Sequence, residues 1–186
     1  MNLVQPSPKY LDSYLDALRR GWDPFSFKQS EGPLSEEIGK ITRDPKSFLE
    51  GTFNIMGGGN PIPFEDGTFG ERLPSFTKWM WDGEFCGRIQ FRWQHKTAEL
   101  PPTCLGHIGY GVAPWKRRKG YATAALMALI EEIRYCGMPY VELTTDVENL
   151  PSQEVIVRCG GAFIENFEKL PANGGGTAKR FRIFLD

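Results

Sequence analysis

Apolar side chains recur along the chain with two distinct periods. Between Ser7-Pro8 and Gly21, Leu11, Tyr14, Leu15 and Leu18 fall at helical spacing. They predict a helix with a single apolar stripe, a Pro in its first turn and a Gly stop. A short strand over 2–5 precedes it. A second helix is expected after Ser35, and Asp44-Pro45 breaks it and caps a short continuation through Phe48 and Leu49. The period then disappears: from Gly51 to Pro74 the chain carries Gly57-Gly58-Gly59, Pro61, Pro63, Gly67 and Gly70, which reads as a long loop, either a surface loop or a flap over a substrate site.

From Phe76 the alternation is that of strands. Lys78 to Trp81, Asp82-Gly83 and Glu84 to Trp93 predict a tight hairpin. In its second arm Phe85, Ile89, Phe91 and Trp93 form a core face opposite Cys86, Arg88, Gln90 and Arg92. A further strand is expected from Cys104 to Ala113, ended by Pro114. The strongest helical signal follows, with Ala122, Ala125, Leu126, Leu129, Ile130 and Ile133 at i, i+3, i+4, i+7, i+8 and i+11, and Gly137 beyond. Tyr140 to Val147 reads as a buried strand, and Asn149 caps a helix that accommodates Pro151 and ends near Gly160-Gly161. Ala162 to Phe167 and Lys179 to Leu185 close the chain as a hairpin around Asn173 to Gly176.

Composition narrows the function classes. A chain of 186 residues with 40% hydrophobic content supports one core and one α+β domain over 1–186. Net charge near −1 gives no reason to expect a polyanion partner. The four cysteines lack any CxxC pair and there are two histidines, so a zinc or iron–sulfur site is not expected. No signal-like segment or membrane span is visible, and thiols of this kind fit a reducing cytoplasm.

The informative stretch is a strand, Pro114-Trp115-Lys116, then Arg117-Arg118-Lys119-Gly120-Tyr121-Ala122 at a helix start. Unpartnered first-turn N–H groups and the helix dipole make such a turn an anion site. Gly120 and Ala122 keep side chains clear of it, and Arg117, Arg118 and Lys119 add positive charge. Gly106, Gly109 and Gly111 crowd the preceding strand, which suits either a bulge or a ligand approaching the backbone. Taken alone, the basic run is ordinary solvated surface or a weak nucleic-acid patch, and GxxxxGK[ST] is absent.

In combination these residues resemble the GNAT superfamily of acyl-CoA-dependent N-acetyltransferases. Val112-Ala113-Pro114 and Arg117-x-x-Gly120-x-Ala122 are similar to its strand end and coenzyme loop, and Asn149-Leu-Pro-Ser152 through Gly160 to its following helix. The wider context resembles a poorly characterised, largely bacterial branch of acetyltransferases from about Leu73 onward. The resemblance implies a mixed, mostly antiparallel sheet of about six to seven strands, splayed at the central strand, with about four helices. It implies acetyl-CoA as cosubstrate, an amine acceptor, and no metal, nucleic acid or membrane partner; homodimers are common among such folds. Amides of Arg118, Lys119, Gly120, Tyr121, Ala122 and Thr123 would hold a pyrophosphate, with Arg117 at its edge. Gly111, Val112 and Ala113 would pair with pantetheine, and Asn149 and Ser152 would approach from the neighbouring helix. A tyrosine that many members carry seven residues after the capping Asn falls here on Ile156. Tyr110, His107 and Asp146 are the remaining candidates for proton transfer. The alternative is an acyl-CoA-binding sensor without catalysis.

Overall fold

The computed structural model describes residues 1–24, 32–63 and 67–185. Its elements are β1 (Asn2–Val4), α1 (Pro8–Arg19), α2 (Gly32–Arg43), α3 (Pro45–Gly51), β2 (Phe53–Asn54), β3 (Ile62–Pro63), β4 (Phe69–Gly70), β5 (Ser75–Trp81), β6 (Phe85–Arg92), β7 (Ile108–Val112), α4 (Tyr121–Ile133), β8 (Tyr140–Asp146), α5 (Leu150–Arg158), β9 (Ala162–Glu168) and β10 (Thr177–Phe184).

Two sheets form the frame. One runs β1-β5-β6-β7 with β2 also on β5, and the other runs β8-β10-β9. Every pairing within them is antiparallel. The expected splay therefore divides the strands into two hydrogen-bonded sheets, with the seam between β7 and β8. The core lies on both faces of the first sheet. On one face Met80, Ile89, Phe91 and Ile108 pack with Leu126, Leu129, Ile130 and Ile133 of α4, and with Val141, Leu143, Ile156, Phe181 and Ile183. Each large aliphatic of the α4 stripe contributes roughly 1.5–3 kcal/mol by leaving water. On the other face Leu11, Tyr14 and Leu18 of α1 pack with Trp22, Ile41, Trp79 and Phe85.

Several expectations needed correction. The second helix begins at Gly32, ahead of Ser35, because Pro33 is compatible with a first turn and does not delay the helix. As expected, Asp44-Pro45 breaks the chain after α2, and Asp44 caps the short α3 through Ser47 N–H at 3.0 Å; the five helices among the described residues accord with the expected number of about four. The 51–74 segment is not loop throughout. β2 pairs with β5, β3 with β4, and Gly58 N–H donates to Arg72 O at 2.8 Å; residues 64–66 of that segment lie outside the described residues. β7 starts at Ile108 and not at Cys104, since Cys104 N–H turns back to Pro101 O at 2.8 Å.

The face rule for β6 also fails at one end. The β5–β6 register shifts between Met80 and Trp81, so Phe85 joins the α1 face while Cys86 is buried with Ile89 on the α4 face. Such a shift inverts the alternation beyond it. Gly87 permits the distortion: its φ is +154° and a Cβ there would lie 2.2 Å from Gly111 O. The bulge belongs to the β5–β6 pair, whereas β7 keeps an unbroken register with β6.

Candidate functional site

The seam between β7 and β8 is closed at one end only. His107 N–H donates to Glu142 O at 2.8 Å, and Glu142 N–H donates to His107 Nδ1 at 2.9 Å. A Cβ on Gly106 would lie 3.0 Å from Glu142 O and 3.4 Å from Leu143 Cα, so β8 backbone can approach only because residue 106 has no side chain. Beyond this point the strands part. Arg92 N–H donates to His107 O, and Ala113 N–H to Cys86 O, both at 2.8 Å. In an antiparallel ladder every second residue faces the same neighbour. Gly109, Gly111 and Ala113 therefore bond toward β6, as does the carbonyl of His107, while the amides of Ile108, Tyr110 and Val112 point into the seam. Gly111, Tyr110 and Val112 are half-buried although β7 has a sheet on either side.

The loop at the open end leaves its amides free. After the turn Pro114–Lys116, Arg118 sits at φ +63° and Gly120 at +73°. Left-handed residues so placed turn successive N–H groups toward one concavity. Arg118 carries a strain of about 1–3 kcal/mol for a non-glycine residue in that region. Ala124 N–H is the first of α4 to find its helical acceptor, Gly120 O at 3.0 Å. Among the described residues the amides from Arg118 to Thr123 have no acceptor. Arg117 donates from Nε to Val112 O at 3.3 Å, linking the loop edge to the strand end. Arg117, Arg118, Lys119 and Gly120 are exposed.

Sequence reasoning missed what holds this loop. Lys116 is 7% exposed and pairs with Asp82 at 2.8 Å and Glu84 at 2.8 Å. Tyr121 O–H donates to Asp82 Oδ2 at 2.7 Å. The β5–β6 turn thus grips the loop on both sides, and the Lys116 hydrogen bond holds the Asp82 carboxyl well below its ordinary range, against the opposing effect of burial. Arg20 completes the cluster, donating to Glu84 at 3.2 Å while lying 3.9 Å over the Trp115 ring. Asp82-Gly83 reads in sequence as turn chemistry alone; only the fold brings it under Lys116. Lys116 is consequently removed from the exposed basic run.

The three proton-transfer candidates are scattered along the seam. Tyr110 O–H lies 2.9 Å from Ser152 Oγ and 3.3 Å from Ser152 O, bridging β7 to the first turn of α5. Burial pushes its pKa up to about 12, so it stays protonated at neutral pH. His107 is 0% exposed at the closed end, and burial pushes it down to about 4. Asp146, at the end of β8, pairs with Lys169 at 2.7 Å, and its carbonyl accepts from Asn149 N–H at 3.0 Å. Asn149 caps α5 by accepting from Ser152 N–H at 3.2 Å. Ile156, where the resemblance implies a tyrosine, is 1% exposed in the core.

Arg88 and Arg92 are half-buried. They project from β6 toward the α1 side, where Arg88 donates to Pro24 O and burial lowers its pKa. Among the described residues no group of three His, Cys, Asp or Glu side chains is placed to hold a metal ion. No helix there is long and apolar enough to cross a membrane.

The chain is similar to known proteins in fold and in its family profile. No curated protein matches the sequence. Among solved structures, the microcin C7 self-immunity acetyltransferase MccE, determined with acetyl-CoA and AMP, is 15% identical with a TM-score of 0.64, covering 98% of this chain and 91% of its own. RimL, a ribosomal L7/L12 alpha-N-protein acetyltransferase solved with coenzyme A, is 13% identical at 0.58, covering 99% and 93%. A variant of the Vibrio cholerae spermidine N-acetyltransferase SpeG is 14% identical at 0.58, covering 100% and 95%. At such identities the likeness is one of fold. The profile of the acetyltransferase (GNAT) domain matches residues 69–162, a span that holds both the unpartnered loop and the open seam, and the chain belongs to the GNAT acetyltransferase family.

Proposed function

We propose that this chain is one acetyltransferase domain that moves an acetyl group from acetyl-CoA to a primary amine by direct attack in a ternary complex. The observation that carries the reading is the row of unpartnered amides from Arg118 to Thr123 beside a strand edge whose Val112 N–H faces an open seam. The donor set suits the cosubstrate: a diphosphate needs several convergent N–H groups and positive charge, and an amide-bearing arm needs an unpaired strand edge. Arg117 and Lys119 add charge at the rim, and Asn149 and Ser152 bound the arm from α5. Gly111 and Ala113 shape the strand while their own amides stay with β6.

Acetyl-CoA supplies an activated acyl carbonyl. Transfer forms a C–N bond and breaks a C–S bond, so the amine loses a proton and the sulfur gains one. Val112 N–H is the donor placed for the carbonyl oxygen as charge develops on it. Tyr110, kept protonated and aimed across the seam at Ser152, is the group assigned to the leaving sulfur. His107 is assigned to closing the seam, and Asp146 to the turn ahead of α5. The four unpaired cysteines accord with a reducing cytoplasm.

A sensor without catalysis is the second reading, motivated by Ile156 in the core where the resemblance implies a tyrosine. A panel of amines with acetyl-CoA, followed by thiol release, separates them: turnover of any amine supports the enzyme. Failure of acetyl-CoA to raise the melting temperature at millimolar concentration would sink both.

A further inference from the structure

The α4 face of the first sheet is filled by core, so an acceptor can reach Val112 only from the opposite face. The register places Arg88 opposite Gly111 and Gln90 opposite Gly109, and directly opposed residues share a face. Arg92, Gln90, Gly109 and Gly111 therefore form one floor on the α1 side. Gly111 opens onto space: a Cβ there would meet nothing within 4 Å. Gly109 is different, since a Cβ would lie 3.1 Å from Arg92 Nη2. The missing side chain at 109 leaves the bed in which that guanidinium lies.

Among the described residues Arg92 has no carboxylate partner. Its Nη2 donates a long hydrogen bond to Gln90 Oε1 at 3.5 Å, and its Nε is buried without a hydrogen bond among the described residues. Two acids on the same side, Glu142 and Glu37, are otherwise engaged. Glu142 is held by Arg180 and Arg182, each at 2.7 Å, and Glu37 accepts from Tyr14 O–H at 3.1 Å. A half-buried guanidinium with an unused donor is destabilising unless an anion completes it. We propose that Arg92 receives an anionic group of the acceptor, so the enzyme acetylates amines that carry a carboxylate or phosphate and not simple polycations. Along β7 the step from Gly109 to Val112 is three residues, or roughly 10 Å. The acceptor's anion and its reacting amine are then separated by roughly 7–10 Å, the reach of an extended peptide of two to three residues.

This inference rests on the acetyltransferase reading, and the test separates the two. Thiol release from acetyl-CoA is measured with di-, tri- and tetraglycine, with their C-terminal amides, and with spermidine, on the wild-type chain and on Arg92→Gln. The wild type should prefer a free-acid peptide over its amide by at least tenfold in kcat/KM, mainly through KM. Arg92→Gln should bring that ratio near one while melting no lower than the wild type, an outcome a purely structural arginine would not give. Equal use of acid and amide, preference for spermidine, or an unchanged ratio in Arg92→Gln overturns the proposal. So does absence of peptide turnover while acetyl-CoA still stabilises the protein, which leaves the coenzyme reading standing. Loss of acetyl-CoA stabilisation as well would remove that reading first.

Discussion

At the closed end of the β7–β8 seam, Gly106 admits the neighbouring backbone and His107 exchanges two hydrogen bonds with Glu142. At the open end, a few residues further along the same strand, Val112 keeps an amide facing the seam, and the loop after it keeps a series of amides unpaired. An unpaired strand edge is a template for further pairing, so the open end is maintained against the tendency of sheets to close. What maintains it is remote from the loop in sequence. Asp82 and Glu84 hold Lys116, Asp82 also holds Tyr121, and Arg117 caps Val112 O. One end is fixed by direct backbone contact between the two strands, the other by a clamp that the β5–β6 turn imposes.

The largest break in this comparison is expected at Gly120. Gly120→Asp puts a Cβ at φ +73° and a negative charge among the free amides, where a diphosphate would have to displace it. We expect acetyl-CoA to stop raising the melting temperature and kcat/KM to fall at least about 100-fold. Retained stabilisation by millimolar acetyl-CoA would show that the loop is not the coenzyme site.

The closed end should answer to pH instead. His107 is depressed from an ordinary value of 6.5 to about 4, so the unfolded chain binds the proton first as pH falls. Its contribution is present above pH 6.5 and is lost on descending toward pH 4, about 3 kcal/mol at most. His107→Asn, which keeps an acceptor near the Nδ1 position, should start less stable but lose less between pH 7 and 4.5 in urea titrations. Parallel curves for the two proteins would contradict the buried neutral imidazole. At the open end, Tyr110→Phe should lower kcat about 100-fold while leaving the acetyl-CoA KM nearly unchanged. A drop in stability with kcat intact would make the hydroxyl a strut to Ser152 and nothing more.

The sequence made the open end more legible than the closed one. Arg117-x-x-Gly120-x-Ala122 announces a helix N-terminus that side chains avoid, and local geometry suffices to say so. The α4 stripe and the Asn149 cap are visible for the same reason, since each depends on neighbours within a turn. His107 could not be read, because an isolated histidine carries no mark of the strand it will meet, and Glu142 lies 35 positions away. Asp82 looked like turn chemistry until the fold set it under Lys116, 34 positions on. The bulge at Gly87 likewise escaped a strict two-residue alternation, which assigned Phe85 and Ile89 to one face although they pack on opposite faces. Local periodicity reads elements well; it does not read the contacts that choose which strand edge stays unpaired.

The smallest effect is also the one that divides two roles most cleanly. Asn149 is exposed and its side chain accepts from Ser152 N–H at 3.2 Å, so Asn149→Ala should cost about 1 kcal/mol of stability through the lost cap. If capping is its whole role, Asn149→Asp, which caps as well, restores both stability and the acetyl-CoA KM. If the side-chain amide also meets the cosubstrate beside the Tyr110–Ser152 bridge, Asn149→Asp restores stability but leaves KM raised, because a carboxylate cannot donate and repels a phosphate. The pair of variants, read by melting temperature and by KM, therefore tells whether α5 merely borders the open seam or takes part in holding what enters it.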